Sequence, residues 1–208
     1  MSKSSLFITF EGIDFSGKTT QIEALIKAFE ARHRHVLFVR EPGGTSISES
    51  IRQILLDKDN TGMSNRSELL LYAAARAQIV DEKIKPALED NQVVICDRFI
   101  DSMTAYQGYG RGLDLNFINK LNAFATGGLK PDLTFFLDIA PHLAEERRAM
   151  ADRTADRLDT ETQFFFDQVR KGYLDLVRSE PSRFTLIDGA LEKTKIQQLI
   201  WHRIQPDV

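Results

Sequence analysis

The 208-residue sequence predicts an α/β fold in which helices cover both faces of a five-stranded parallel sheet. Two observations predict this class. Short apolar runs without polar alternation recur along the chain, as expected for strands that are buried on both faces. Between these runs, apolar residues recur at the three- and four-residue spacing that lays one stripe along a helix. Strands alternating with helices are typical of α/β proteins.

The five predicted strands are separated by helical patterns. The stripe is clearest after the first strand, where Ile22, Leu25, Ile26 and Phe29 share one helix face, and similar stripes lie within residues 47–55, 143–150, 165–176 and 196–200. Glycine and proline clusters fall where strands or helices should end. No linker or repeat divides the chain, so we expect one domain over residues 1–208. The predicted strands are Leu6–Phe10, Val36–Val39, Val93–Cys96, Leu133–Leu137 and Phe184–Ile187.

Composition excludes several classes of protein. Hydrophobic residues at 42% and charged residues at 27% are ordinary globular usage, which excludes a disordered chain. A formal net charge of -3 gives no general field for nucleic acid. No apolar run reaches the roughly 18 residues that a membrane span needs. The single cysteine, Cys96, cannot form an intrachain disulfide. We therefore expect a cytoplasmic protein that binds neither nucleic acid nor membrane.

A phosphate-binding loop follows the first predicted strand directly. Two glycines separated by four residues precede Lys18 and Thr19, with a strand before them and a helix after them. Glycines let backbone N–H groups turn toward a phosphate, and the N-terminus of the next helix adds its dipole. Lys18 can reach the outer phosphates of a triphosphate, and the Thr19 hydroxyl can ligate Mg²⁺. This pattern predicts a P-loop NTPase fold that binds ATP through Gly12, Ile13, Asp14, Phe15, Ser16, Gly17, Lys18, Thr19 and Thr20.

Charged side chains also follow the third predicted strand. Asp97 and Arg98 stand at the sheet edge where open α/β proteins bind ligands. Asp97 could hold magnesium through water and Arg98 could bind a second phosphate, although the two could also form a simple strand-end ion pair. A surplus of arginines favours a site that binds several phosphates and neutralises a transferring one. The others are Arg40, Arg52, Arg76, Arg111, Arg147, Arg148, Arg153 and Arg157.

Four motifs, taken in order, make the chain resemble the thymidylate kinases. They are the phosphate loop, the run Arg40–Thr45, the group Asp97–Phe99 with Ala105–Gly108 after it, and the run Asp156–Asp159. The resemblance implies an enzyme that moves the γ-phosphate of ATP to dTMP, giving dTDP and ADP for dTTP biosynthesis. It also implies Mg²⁺ as cofactor, held by Asp14, Thr19 and Asp97, and a homodimer that uses the stretch around Leu69 to Leu71.

The same resemblance implies roles for residues on the acceptor side. Asp14 would lie near the sugar hydroxyl of dTMP, and Arg98 would grip its phosphate. Arg76 would donate to a thymine carbonyl, and Tyr72, one helical turn earlier, would stack on the base. Tyr72 stands where the family usually has Phe, and it could instead be an ordinary core aromatic. The other residues implied are Ser102 and Gln107 at the base edge, Tyr106 at the deoxyribose, and Arg52, Glu41 and Pro42 along the pocket, with Glu41 also a possible partner for Arg40.

Residues 141–160 are predicted to form a lid. Some thymidylate kinases carry a basic residue inside the phosphate loop, but Phe15 occupies that position here. The lid segment is rich in arginine instead. We therefore expect Arg153 to be the catalytic arginine, with Arg147 and Arg157 at the ATP. Two further departures from the family pattern are Phe99 for Tyr, and Asp159 for Glu.

Two other functions stay open. One is a P-loop kinase for another nucleoside monophosphate or a deoxynucleoside, which Arg76, Tyr106 and Gln107 argue against. The other is a nucleotide-dependent switch that transfers phosphate to no small acceptor. A guanine-reading switch should carry an Asn/Thr-Lys-x-Asp element, and residues 193–196 lack the aspartate. The adenine contacts rest on resemblance alone, which implies Gly189 after the last strand.

Overall fold

The computed structural model describes residues 5–151 and 156–205. Within these ranges, five parallel strands form one sheet in the order β2-β3-β1-β4-β5. The class, the number of strands and their parallel direction confirm the sequence prediction. The strands are β1 (Leu6–Glu11), β2 (Val36–Arg40), β3 (Val93–Asp97), β4 (Leu133–Asp138) and β5 (Phe184–Asp188).

Each strand extends one residue beyond its predicted apolar run. The added residue is polar in every strand. It belongs to the strand because its backbone pairs with a neighbouring strand: Asp97 pairs with Phe10, and Asp138 pairs with Asp188. Ladder hydrogen bonds involve the main chain, so a polar side chain does not end a strand. These polar residues therefore mark one edge of the sheet, the edge where ligands bind in open α/β folds.

Helices cover both faces of the sheet, as predicted. On one face Leu6, Ile8 and Phe10 of β1 pack with residues of α1 and α9, while Phe7 packs on the other face with residues near the end of α3. This alternation follows from the two-residue period of a strand. The helices are α1 (Lys18–Glu30), α2 (Ser46–Leu56), α3 (Asn65–Ile79), α4 (Lys85–Glu89), α5 (Ile100–Met103), α6 (Leu115–Thr126), α7 (Pro141–Ala149), α8 (Gln163–Ser179) and α9 (Lys193–Ile204).

Two short π-helical segments interrupt the helical layers, at Val80–Ile84 and Thr104–Gly110. The second follows α5 directly and carries the predicted acceptor residues Tyr106 and Gln107. Single π turns are frequent at functional sites, since the extra residue re-aims side chains. None of the helices in the described part of the chain is long and apolar enough to cross a membrane.

Candidate functional site

A cavity of about 860 Å³ lies beyond the carboxyl ends of the strands. Segments that follow β1, β2, β3 and β5 line it, together with residues of α2, α3 and α7. Its volume falls within the range of small-molecule sites. The cavity brings together most of the site residues that the sequence predicts, from the phosphate loop at one end to Tyr72 and Gln107 at the other.

The phosphate loop closes one end of this cavity. Gly12 and Gly17 have φ angles of 138° and 99°. A β-carbon on Gly12 would lie 2.6 Å from the carbonyl oxygen of Leu137, so only glycine fits there. α1 begins at Lys18, which directs its N-terminus at the loop. The hydroxyl of Ser16 is buried and has no hydrogen-bond partner within the protein, so it can donate to a bound phosphate.

Lys18 is folded back onto this loop. Its Nζ donates to the carbonyl oxygens of Gly12 and Ile13, each at 3.0 Å. Burial, with a further contribution from the nearby Arg98 guanidinium, lowers the pKa of Lys18 to about 8. The carboxylates of Asp97, Asp14 and Glu11 favour the charged form but do not outweigh burial, so an incoming phosphate would add to the attraction that keeps Lys18 protonated.

Arg98 lies between the phosphate loop and Tyr106, a predicted acceptor residue. Its Nη1 donates to the carbonyl oxygen of Gly12 at 2.7 Å, and its Nη2 donates to Asp14 Oδ1 at 2.5 Å. The guanidinium also lies over the ring of Tyr106, 5.1 Å from the ring centroid. Its backbone adopts a φ of 70°, which is uncommon for a residue with a β-carbon. Arg98 is therefore fixed between the two halves of the site rather than in a plain pair with Asp97.

Glu11 is a buried carboxylate that holds groups next to Arg98, and the sequence patterns did not identify it as a site residue. Its Oε2 accepts from the hydroxyls of Ser102 at 2.6 Å and Tyr173 at 2.8 Å, and its Oε1 accepts from the Phe99 N–H at 2.8 Å. Burial, reinforced by Asp101, raises the pKa of Glu11 to about 7. The signal in the sequence was a carboxylate that ends an apolar strand just before the phosphate loop.

Arg76, a predicted acceptor residue, lines the cavity and is 2% exposed. Its Nη2 is 2.6 Å from Glu41 Oε2, its Nη1 donates to Asn122 Oδ1 at 2.9 Å, and its Nη2 donates to the Phe99 carbonyl at 3.0 Å. Glu41 thus pairs with Arg76 and not with Arg40. Burial raises the pKa of Glu41, against the opposing effect of Arg76. Its Oε1 is buried without a hydrogen-bond partner.

The other predicted acceptor residues line the same cavity. Tyr72 lies one turn before Arg76 on α3, and Gln107 donates to Glu68 Oε1 at 2.9 Å. Arg52 donates to the carbonyl of Pro42 at 2.9 Å. Tyr72 is therefore a wall of the cavity rather than a core aromatic remote from it.

Oxygen donors suited to a divalent cation lie among the residues that line the cavity. Asp14, Thr19 and Asp97 all line the cavity. Asp97 Oδ1 is buried and has no hydrogen-bond partner, which costs free energy unless a ligand compensates. Hard cations such as Mg²⁺ take carboxylate and hydroxyl oxygens, so this donor set fits the predicted metal.

The predicted lid residues divide between two places. Arg147 lines the cavity and bridges the carbonyl oxygens of Phe15 and Gly189, each at 3.0 Å. Arg157 is instead buried outside the cavity lining, where it donates to Glu68 Oε2 at 2.6 Å and to the Leu55 carbonyl at 2.8 Å. The structure does not bring Arg157 to the predicted ATP side, because Glu68 holds its guanidinium. Arg153 lies outside the described residues.

Comparison with known proteins places this site in a family. A family model described as thymidylate kinase matches residues 10–200. The chain belongs to the thymidylate kinase family. The thymidylate kinase of Symbiobacterium thermophilum is 47% identical over 194 residues, covering 93% of this chain and 90% of that protein. The thymidylate kinase of Geotalea daltonii is 49% identical over 198 residues, covering 91% and 92%.

The fold of the chain also matches a solved thymidylate kinase structure. The crystal structure of thymidylate kinase from Ehrlichia chaffeensis matches with a TM-score of 0.79 at 35% identity, covering 97% of this chain and 98% of that chain. The similarity to thymidylate kinases that the four sequence motifs indicated is thus confirmed over nearly the whole length.

Proposed function

We propose that this chain transfers the γ-phosphate of ATP to dTMP, giving dTDP and ADP for dTTP biosynthesis. One observation carries the proposal beyond family membership. Arg98 contacts the phosphate loop through Gly12 and Asp14, and its guanidinium lies over the ring of Tyr106, a predicted acceptor residue. A cation so placed can hold the phosphate of an acceptor nucleotide beside the terminal phosphate of ATP, which is the geometry that in-line transfer needs.

On the donor side, ATP binds the phosphate loop of residues 12–20. Lys18 moves from the Gly12 and Ile13 carbonyls to the outer phosphates, and the free N–H groups at the start of α1 support the negative charge. Arg147 borders the same end of the cavity, beside Gly189, where the adenine would lie. Arg157 has no part in this ATP site, because Glu68 and the Leu55 carbonyl hold its guanidinium.

On the acceptor side, dTMP places its phosphate at Arg98 and its base between Tyr72 and the Arg76–Gln107 wall. The ion pair with Glu41 fixes the Arg76 guanidinium, so little side-chain entropy is lost when it meets a thymine carbonyl. Tyr106 packs against the sugar, and Ser102 borders the base edge. Glu41, Pro42 and Arg52 complete the pocket, with Asp14 near the sugar hydroxyl.

Mg²⁺ belongs to the proposal as the ion that accompanies ATP. Thr19, Asp14 and Asp97 would hold it, and the unpartnered Asp97 Oδ1 supports a role through metal-bound water. When bound, the ion neutralises charge on the transferring group. The protein's own contribution to that neutralisation comes from Lys18, Arg98 and, in the proposed lid, Arg153.

The direct test follows the phosphorus atom. The purified protein is mixed with ATP labelled in the γ-phosphate, Mg²⁺ and dTMP, and the products are separated. The proposal expects label in dTDP and none above background in inorganic phosphate. Label released only as inorganic phosphate, at a rate that dTMP does not change, would favour a nucleotide-dependent switch.

We also propose that the protein is a homodimer and that it lies in the cytoplasm. α3 packs between α2 and α6, and these helices present exposed apolar side chains. Exposed apolar side chains on neighbouring helices support an interface with a partner chain. Light scattering should give twice the chain mass, and Leu70→Glu should halve it. The exposed side chains are Ile47 and Ile54 of α2, Leu70 of α3, and Phe117 and Phe124 of α6.

A further inference from the structure

A buried group of charged and polar side chains lies behind the acceptor wall, centred on Glu68 of α3. Glu68 is 1% exposed. Its Oε1 accepts from Gln107 Nε2 at 2.9 Å and from Arg111 Nε at 3.1 Å. Its Oε2 accepts from Arg111 Nη2 at 3.0 Å and from Arg157 Nη2 at 2.6 Å. We call these residues, with Glu161, the Glu68 cluster.

The cluster joins two parts of the chain that both border the cavity. Gln107 lines the cavity on the π-helical segment after α5. Arg157 belongs to the segment 156–161, in which Asp156 and Asp159 also line the cavity. One carboxylate therefore holds both parts, and Arg111 ties them again through Glu161, whose Oε1 is 2.7 Å from Arg111 Nη1.

The Glu68 cluster pairs its two arginines with two carboxylates. Burial alone would raise the pKa of Glu68, but hydrogen bonds from Arg111 and Gln107 outweigh it and hold that pKa below its usual value. Two guanidinium groups face the carboxylates of Glu68 and Glu161. Removing one member of a buried ion pair leaves the other charge uncompensated, so neighbouring groups must shift to compensate.

Arg157 is anchored on its other side as well. Its Nε donates to the Leu55 carbonyl, and its own N–H donates to the Leu56 carbonyl at 3.2 Å. Leu56 itself lines the cavity. Three hydrogen bonds, through the side chains of Glu68 and Arg157, thus connect Gln107 with the end of α2. All the side chains on this path are buried.

We propose that Glu68 is a positioning residue that fixes Gln107 relative to the segment 156–161 and thereby sets the shape of the acceptor pocket. The proposal rests on the proposed function, because it assigns the Gln107 wall to the monophosphate. Glu68 does not line the cavity, so it acts on the acceptor only through its hydrogen-bonded neighbours.

A double-mutant cycle tests the proposal. Glu68→Gln, Arg157→Gln and the double variant are compared with the wild type for KM of each substrate, kcat and Tm. Each single variant is expected to raise KM for dTMP about tenfold, with KM for ATP changed less than about twofold. The double variant should be no worse than about twice either single, because both changes break the same link. Arg157→Gln leaves Glu68 paired with Arg111, so it stays testable if Glu68→Gln fails to fold.

Arg170→Gln is the matched control. Arg170 forms a two-bond ion pair with Asp138 at 2.7 and 2.8 Å and does not line the cavity. The Arg170→Gln variant should have a lower Tm than the wild type and an unchanged KM for dTMP. If the Glu68 and Arg157 variants behave like this control, the cluster is only structural and the proposal is wrong. Independent, multiplying effects of the two changes would overturn it too.

The wild-type result keeps the two claims separate. A wild type that is not stimulated by dTMP contradicts the proposed function. The Glu68 inference is read from the ratio of variant to wild type, with whichever monophosphate the wild type phosphorylates.

Discussion

Replacing Lys18 by methionine should make the free protein more stable while it destroys activity. Burial lowers the pKa of Lys18 from 10.5 to about 8, so folding places a charged ammonium where its charge is less stable than in water. The difference between these pKa values corresponds to about 3 kcal/mol at about pH 7, where the group is protonated in both states. The Gly12 carbonyl keeps its bond from Arg98 at 2.7 Å, and the Ile13 carbonyl keeps its bond from the Ser16 N–H at 3.4 Å.

The sign of the pH dependence follows from the lowered pKa. The folded state gives up its proton first, so the destabilisation is complete below about pH 8 and fades as pH rises toward the unfolded pKa of about 10.5. Urea unfolding should therefore find Lys18→Met more stable than wild type at about pH 7, with an advantage that shrinks by about 2 kcal/mol between about pH 7 and about pH 9.5. The variant should lose about 10²-fold or more in turnover, because its loop no longer supplies a charge to the phosphates. Equal stability differences at the two pH values, or a destabilised variant, would refute the reasoning.

Substitutions at three further positions probe the proposed acceptor and metal sites. Arg98→Lys keeps the positive charge but loses the paired N–H donors of the guanidinium, so KM for dTMP should rise about tenfold with little change in KM for ATP. An unchanged KM for dTMP would show that Arg98 does not bind the acceptor. Tyr72→Phe should keep kcat/KM for dTMP within about threefold while Tyr72→Ala loses about tenfold, since the ring does the stacking; equal losses would assign the contact to the hydroxyl. Asp97→Asn should raise the Mg²⁺ concentration for half-maximal rate about tenfold, and an unshifted Mg²⁺ titration would contradict its role at the metal.

Local patterns in the sequence predicted the sheet and the phosphate loop well. The strands were visible because each is a continuous apolar run, and the loop was visible because its glycines, Lys18 and Thr19 are adjacent along the chain. α3 produced no clear stripe, because it buries Glu68 and Arg76 at positions where a periodic pattern expects apolar residues. A helix that carries a buried charged network is therefore hidden from a search for apolar periodicity.

Pairings across long stretches of chain were not predictable from the sequence. Arg157 was expected at the ATP, but Glu68, 89 residues earlier, holds it. Glu11 reaches Tyr173 across 162 residues. Nothing in local spacing selects one carboxylate among the 30 acidic residues for a given arginine, and only the packing of helices on the sheet decides it.

The most direct test of the account is the choice of acceptor. ADP production from ATP and Mg²⁺ is measured with the purified protein while dTMP, dUMP, UMP, dCMP, dGMP and AMP are offered one at a time. The account predicts that dTMP drives turnover alone or far ahead of dUMP. Faster turnover with another monophosphate would contradict the assignment of the Tyr72, Arg76 and Gln107 pocket, and turnover that none of them stimulates would contradict phosphoryl transfer to a nucleotide.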